Sequence, residues 1–147
     1  MQKDIEFDHF TNQDAYLLGS YIAQKSIEQN YAIIVDIEKN HNLVFTYAQD
    51  GSSPNNRYYL EKKKNVVNRF YTSSKLIGEK LENTHMTFKQ RYGEGDYAPV
   101  PGACPIFVQG VGIVGVIAIS GLSSQEDHNL IMEGMLYLLE KQRSEIA

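Results

Sequence analysis

The chain is predicted to fold as an α+β protein, with helices packed on an antiparallel sheet. Three observations predict this. Two pairs of short, β-branched apolar runs are each joined by a few turn residues. Segments of helical periodicity stand before, between and after those pairs. The resulting order is α-β-β-α-α-β-β-α, and neighbouring runs joined so tightly pair as hairpins rather than as crossovers.

Each element has its own local reason. Thr11 and Asn12 are placed to cap a helix running to about Gln29, and Asp14, three residues after Thr11, completes a capping box. Its inward stripe is Ala15, Leu18, Gly19, Ile22, Ala23 and Ser26. Tyr31–Glu38 and Leu43–Ala48 read as strands, with Lys39–Asn42 as the hairpin loop. Gln49–Asn56 is rich in turn formers, and Pro54 suits the first turn of a second helix. That helix is expected to present Tyr59, Lys63, Val66, Val67 and Phe70 on one face. Ser73–Ser74 can cap a third helix with Leu76, Ile77 and Leu81 apolar. Asn83–Ala103 gives no clear element, and within it Gly93–Ala103 reads as loop by composition. Cys104–Gln109 and Ile113–Ser120 form the second strand pair, and a last helix starts near Ser123 or Ser124 with Leu130, Ile131, Met135, Leu138 and Leu139 inward.

Residues 1–147 suit one domain, which can bury roughly 70% of its unfolded surface without a disulfide or metal. The net charge of −4 disfavours nucleic acid and anionic membrane surfaces as partners. The single cysteine, Cys104, fits a reducing compartment. The acidic start, with Asp4, Glu6 and Asp8, does not read as a signal peptide, and the Gly-interrupted run at Gly110–Ile119 is too short to span a bilayer. A cytoplasmic protein is expected.

No catalytic or metal-ligating set emerges from the motifs. Gly110–Gly115 matches GxGxxG, but a strand follows where the dinucleotide fingerprint needs a helix, so a hairpin turn explains it. His9, His41, His85 and His128 are not spaced as metal ligands. Ser120 does not sit in a nucleophile elbow, and nothing local lowers the Cys104 thiol pKa. Two features carry more. In Ser120–His128 a strand ends, a glycine turns and a helix begins, so Ser120, Gly121 and the helix amides form either a plain cap or an anion rim. The basic run Lys62–Lys64 with Arg69 reads as a solvated face, except that Lys63 lies on the apolar stripe and either snorkels or meets a charge near the sheet.

Several segments together resemble a known family: Phe10–Gly19, Ser52–Phe70, Pro101–Ile106 and Val114–Gly134. They are similar to the uncharacterised, mostly microbial branch of the GlcG/HbpS-like (haem-degrading-domain-like) proteins, over nearly the whole chain. The resemblance implies a profilin-like fold with a five-stranded antiparallel sheet flanked by helices, which adds one strand to the four read from the residues. It also implies dimers or higher homo-oligomers, and haem or corrinoid as cofactors of some members. The branch's Asp-Asn pair, following Trp and Arg-Lys correspond here to Asn55-Asn56, Tyr59 and Lys62-Lys63. Its His-Gly-Gly-x-Phe-Pro-Ile loop corresponds to Val100–Ile106, where the histidine and first glycine are replaced; axial ligation of haem through that histidine is thereby put in question.

The leading expectation is an oligomeric, accessory small-ligand-binding protein rather than an enzyme. A small acidic ligand such as a tetrapyrrole carboxylate would lie among Asn56, Lys63, Gly102, Ser120 and Gly121, beside Asp127 and His128 of the intact Glu-Asp-His element. One alternative is a haem-dependent redox or degradative enzyme with His128 or His85 on iron. Another is an assembly scaffold, suggested by ten tyrosines and six phenylalanines without tryptophan.

Overall fold

The computed structural model describes residues 5–93 and 95–146. The elements in chain order are β1 (Glu6–Phe7), α1 (Asn12–Gln29), β2 (Ile34–Lys39), β3 (Asn42–Ala48), α2 (Pro54–Phe70), α3 (Ser74–Thr84), α4 (Phe88–Tyr92), β4 (Ala103–Val108), β5 (Gly112–Ser120) and α5 (Ser124–Ile146). The capping box of α1 is formed. Its Thr11 hydroxyl accepts the Asp14 amide at 3.1 Å, and the Asp14 carboxylate accepts the Thr11 amide at 2.8 Å.

The sheet has five strands in the order β1-β4-β5-β2-β3. Pairs β2–β3, β2–β5 and β4–β5 are antiparallel, but β1 lies parallel to β4. The sheet is therefore mixed, which corrects the expectation of a purely antiparallel one. The fifth strand has only two residues, too few to show alternation in the sequence. A parallel neighbour also needs a long crossover, which the elements between β1 and β4 provide. Both expected hairpins are present. Asn40 and His41 turn the first with left-handed backbones, φ 50° and 64°, as a two-residue connection between twisted strands requires. The second turns at Gly110–Gly112 and leads directly into β5, so the glycine-rich motif is a corner between strands.

Period-two alternation assigns the strands' apolar residues to two layers. Val35, Ile37, Ile106, Ile117 and Ile119 pack with Leu18 and Ile22 of α1 and with Ile131 and Leu138 of α5. Ile34, Ala103, Val116 and Ala118 face Leu60 and Val67 of α2. The small residues Ala103 and Ala118 let α2 approach the sheet closely. Gly19 does the same for α1, since a Cβ there would run into the Phe45 ring. A third cluster, Val66, Ile77, Leu81 and Phe88, joins α2 to α3 and α4. The short helix α4 was not expected within Asn83–Ala103. It starts on its own capping box, with the Thr87 amide donating to Gln90 at 2.8 Å and the Gln90 amide donating back to the Thr87 hydroxyl at 3.1 Å.

The α2 face corrects the expected stripe. Leu60 is buried, while Tyr59 is exposed. The basic run is not simply solvated either, because Lys64 is buried along with Lys63. Lys64 meets Asp36 of β2 at 2.9 Å, Glu38 at 2.8 Å and Glu61 at 2.9 Å. Asp36, fully buried, also accepts from Arg57 and, at 2.6 Å, from the Thr46 hydroxyl. Burial alone would push this carboxyl up, but hydrogen bonds from Arg57, Thr46 and Lys64 outweigh it and hold Asp36 below the usual carboxylate range.

A carboxyl with a depressed folded pKa stabilises the fold above its unfolded pKa and loses that contribution as pH falls through the folded value. Asp36→Asn is therefore expected to cost about 1–3 kcal/mol at neutral pH. Denaturant titrations across acid pH should show this deficit shrinking below about pH 4, where wild type loses the same charge.

Candidate functional site

Lys63 lies three residues from both Leu60 and Val66 and four from Val67, so it points at the sheet with them. Its ammonium does not reach solvent. It donates to the Asp127 carboxylate at 3.0 Å and to the Ile119 carbonyl at 3.1 Å, and Lys63 and Asp127 are only 3% and 1% exposed. Gly102, just before β4, makes the approach feasible: a Cβ there would stand 2.5 Å from Lys63 Nζ and 3.0 Å from the Ile119 carbonyl. The Gly102 carbonyl accepts the Ile119 amide at 2.9 Å. At φ +131° its backbone suits glycine alone.

Asp127 faces Lys63 with one oxygen and, with the other, holds the turn that precedes its own helix. Its Oδ1 accepts the Leu122 amide at 3.0 Å, and the Gly121 amide also favours the ionised form. Ser123 closes the same turn, accepting the Glu126 amide at 3.2 Å. The Gly121, Leu122 and Glu126 amides of the expected anion rim thus have carboxylate and hydroxyl partners within the chain. Burial outweighs the attraction of Lys63 and these amides, so the Asp127 carboxyl is held above its ordinary range.

Of the seven residues singled out in the sequence, the fold gathers Lys63, Gly102, Gly121 and Asp127 into one closed cluster, with Ser120 buried beside them at the end of β5. The other two lie elsewhere. Asn56 accepts the Ser53 amide at 2.8 Å and hydroxyl at 3.3 Å, fastening the first turn of α2 about 10 Å along the helix from Lys63. His128 is buried, and its Nδ1 is 3.7 Å from Cys104 Sγ. Burial holds its imidazole below the ordinary histidine range, and the charge of Lys75 adds to that.

An accessible cavity lies next to this cluster. A groove of about 920 Å³ runs between α3, α4 and residues 95–101. Leu81, Phe88, Tyr97 and Val100 give it apolar walls, Lys75, His85 and Lys89 its nitrogen groups and Glu79 and Glu82 its carboxylates, and Pro101 and Gln125 also line it. Those two residues ride on the Gly102 loop and the start of α5, the two pieces that the Lys63–Asp127 pair ties to α2. The opposite wall is strapped to the outer face of α2. Lys62 donates to the Gly95 carbonyl at 3.2 Å, Asn65 to the Asp96 carbonyl at 2.9 Å, and the Ala98 amide to the Lys62 carbonyl at 3.2 Å. The Arg69 guanidinium lies over Phe70, Phe88, Tyr92 and Tyr97, 5.2–5.9 Å from their ring centroids. Gly78 of α3 has no room for a side chain, because the Pro99 carbonyl occupies the place of its Cβ.

Sequence reasoning had marked His85, the apolar Leu81, and Val100 and Pro101 of the family loop, but not the α4 side of the groove. The only hint was the density of aromatic residues in Phe88–Tyr97, which is hard to tell from loop composition.

Lys63→Met leaves Asp127 buried without its cation and is expected to cost about 3–5 kcal/mol. The double variant Lys63→Met/Asp127→Asn removes both charges and should recover more than half of that loss, as urea denaturation would measure.

Comparison with known proteins places this geometry. A family model described as haem degrading protein HbpS-like matches residues 10–135. A UPF0303 protein of Zymomonas mobilis is 38% identical over 136 residues, covering 91% of this chain and 73% of the relative. Among solved structures, the Ybr137w protein superposes with a TM-score of 0.84 at 26% identity, over 92% of this chain and 82% of that one. A PduOC:heme complex shares the fold, with a TM-score of 0.73 at 14% identity over 86% and 93%. No helix among the described residues is long and apolar enough to cross a membrane. The match over residues 10–135 and the 38% identical relative show it: this chain belongs to the HbpS-like family.

Proposed function

We propose that this chain is an accessory small-ligand-binding protein whose groove between α3, α4 and residues 95–101 takes an amphipathic carboxylate of the tetrapyrrole class. The groove's size and lining carry the reading: about 920 Å³ lies within the range of small-molecule sites, and apolar residues share its walls with Lys75, Lys89, His85, Glu79 and Glu82. A haem needs an apolar slot, cations for its propionates and a donor for iron. Leu81, Phe88 and Val100 would supply the slot, Lys75 and Lys89 the cations, and His85 the donor. Of the two histidines weighed as iron ligands, His85 is exposed and lines the groove, whereas His128 is sealed in the core against Cys104. Bound haem would bring its own redox chemistry, and the chain would hold and orient it.

The family's description names haem, and a protein of the same fold is known in complex with heme; both support this ligand class. In this reading Lys63 and Asp127 do not touch the ligand. They are positioning residues that set where Pro101 and Gln125 stand. Ser120 and Gly121 contribute through the same turn, and Asn56 through the start of α2.

Titration with hemin, a corrinoid and small dicarboxylates tests the proposal. Hemin is expected to give a saturable Soret shift. Val100→Trp, which fills the groove, should weaken binding by about tenfold or more, and His85→Ala should alter the Soret position. Absence of binding by all three ligands, or equal hemin affinity in wild type and Val100→Trp, would sink the proposal.

A further inference from the structure

The charged network between α2 and the sheet does not balance. Two cations, Lys64 and Arg57, face three carboxylates, Asp36, Glu38 and Glu61, which leaves one negative charge in excess. Lys64 and Asp36 are sealed from solvent, so an outside cation can meet that excess only at Glu38 or Glu61. Glu38, with its side chain 18% exposed, gives one oxygen to Lys64 at 2.8 Å and lines a pocket of about 240 Å³ at the end of β2. This pocket shares no residue with the groove. Val67 of α2 and Val116 of β5, both buried, make part of it apolar. Asn40, His41, Asn68 and Tyr71 supply polar groups, and among the described residues no lysine or arginine lines it. The last turn of α2 also ends here, and a helix C-terminus carries partial negative charge.

Regular geometry gives way around the pocket. Val114, which lines it, is the extra residue of a bulge in β5, and Val44 is that of a bulge in β3 beside Glu38. Of the five non-glycine residues with left-handed backbones among those described, Asn40, His41 and Tyr71 all line this one pocket. Asparagine tolerates that conformation. His41 stands at the second turn position, where a two-residue hairpin favours glycine. Tyr71, at φ 54°, follows α2 where glycine or asparagine is usual, and a bulky residue is an outlier there. Both side chains are thus kept where the backbone favours having none, and such outliers gather at ligand sites. From the charge and this geometry we infer that the pocket binds a short aliphatic primary ammonium. Its charge rests on Glu38, its methylenes on Val67 and Val116, and its outer end beside His41 and Tyr71. Among the described residues no group of three His, Cys, Asp or Glu side chains could hold a metal ion, so the cation that fits is organic. The volume lies below that of drug-sized sites, which limits the occupant to a few heavy atoms.

This inference does not depend on the groove or its ligand. Titration of the full chain with n-butylamine, followed by amide NMR at neutral pH, should give saturable shifts at residues 38–41, 68–71 and 113–116. The neutral 1-butanol and the anionic butyrate should bind at least about tenfold more weakly. Glu38→Gln should weaken butylamine binding by about tenfold or more. Circular dichroism should show that variant folded, because Asp36 and Glu61 still hold Lys64; if it is not, His41→Gly decides alone. His41→Gly should weaken binding by about threefold or more while raising the melting temperature by about 2–4 °C, since it relieves the turn. An Nα-acetylated lysine amide separates two sources of the same chemistry: tighter binding than butylamine points to a lysine side chain of a peptide, weaker binding to a free amine. No saturable shift with butylamine, equal binding of 1-butanol, or unchanged affinity in the deciding variant would overturn the inference.

Discussion

Two adjacent lysines hold this fold in register. Lys63 and Lys64 both leave solvent on the sheet side of α2, and each ends on a carboxylate from a different part of the chain: Asp127 at the start of α5 and Asp36 in the middle of β2. Taking an ammonium and a carboxylate out of water is expensive, and pairing returns that cost only when the remaining hydrogen-bonding capacity is also met. Here it is met by the Ile119 carbonyl, the Leu122 amide, the Thr46 hydroxyl and Arg57. The arrangement penalises any shift of α2 along the sheet, because sliding would strip both cations of their partners together. The apolar contacts of Leu60 and Val67 on Ala103 and Ala118 are far less selective, since small residues tolerate small displacements.

That constraint passes outward to the groove. One end of the cavity stands on the two segments that the Lys63 pair locks, and its far wall is strapped to the other side of the same helix. The two carboxyls also titrate in different ranges. Asp36 is held low by its donors and Asp127 is held high by burial. Protonation weakens the attachment of β2 to α2 at Asp36, and at Asp127 it would take the counter-charge from the buried Lys63 ammonium.

Much of the layering was legible in the sequence because it rests on local rules. The Thr11–Asp14 capping box, the β-branched runs and the glycine corner at Gly110–Gly112 each act within a few residues. Lys63 was legible as unusual because it interrupts an apolar stripe, and Asp127 because it lies beside a helix start. Their meeting was not, because they are 64 positions apart and only the sheet brings them together. The buried place of Lys64 was hidden for the same reason: Asp36 sits inside an apolar strand and reads as an isolated polar interruption. Asn56 misled because its family motif sits next to a capping position, and capping is what its side chain does. The parallel strand β1 and the helix α4 were missed because two and five residues are too few for periodicity to show.

The contact between Gly78 and the Pro99 carbonyl gives the groove an unusual tolerance. Its width there is set by main chain against main chain, so the spacing does not depend on which side chains happen to line the rim. The side chains of Lys75, Lys89 and Val100 take no part in that contact. Related chains that keep that glycine could thus retune the groove for differently charged or shaped occupants by single replacements, while the depth of the slot is inherited unchanged.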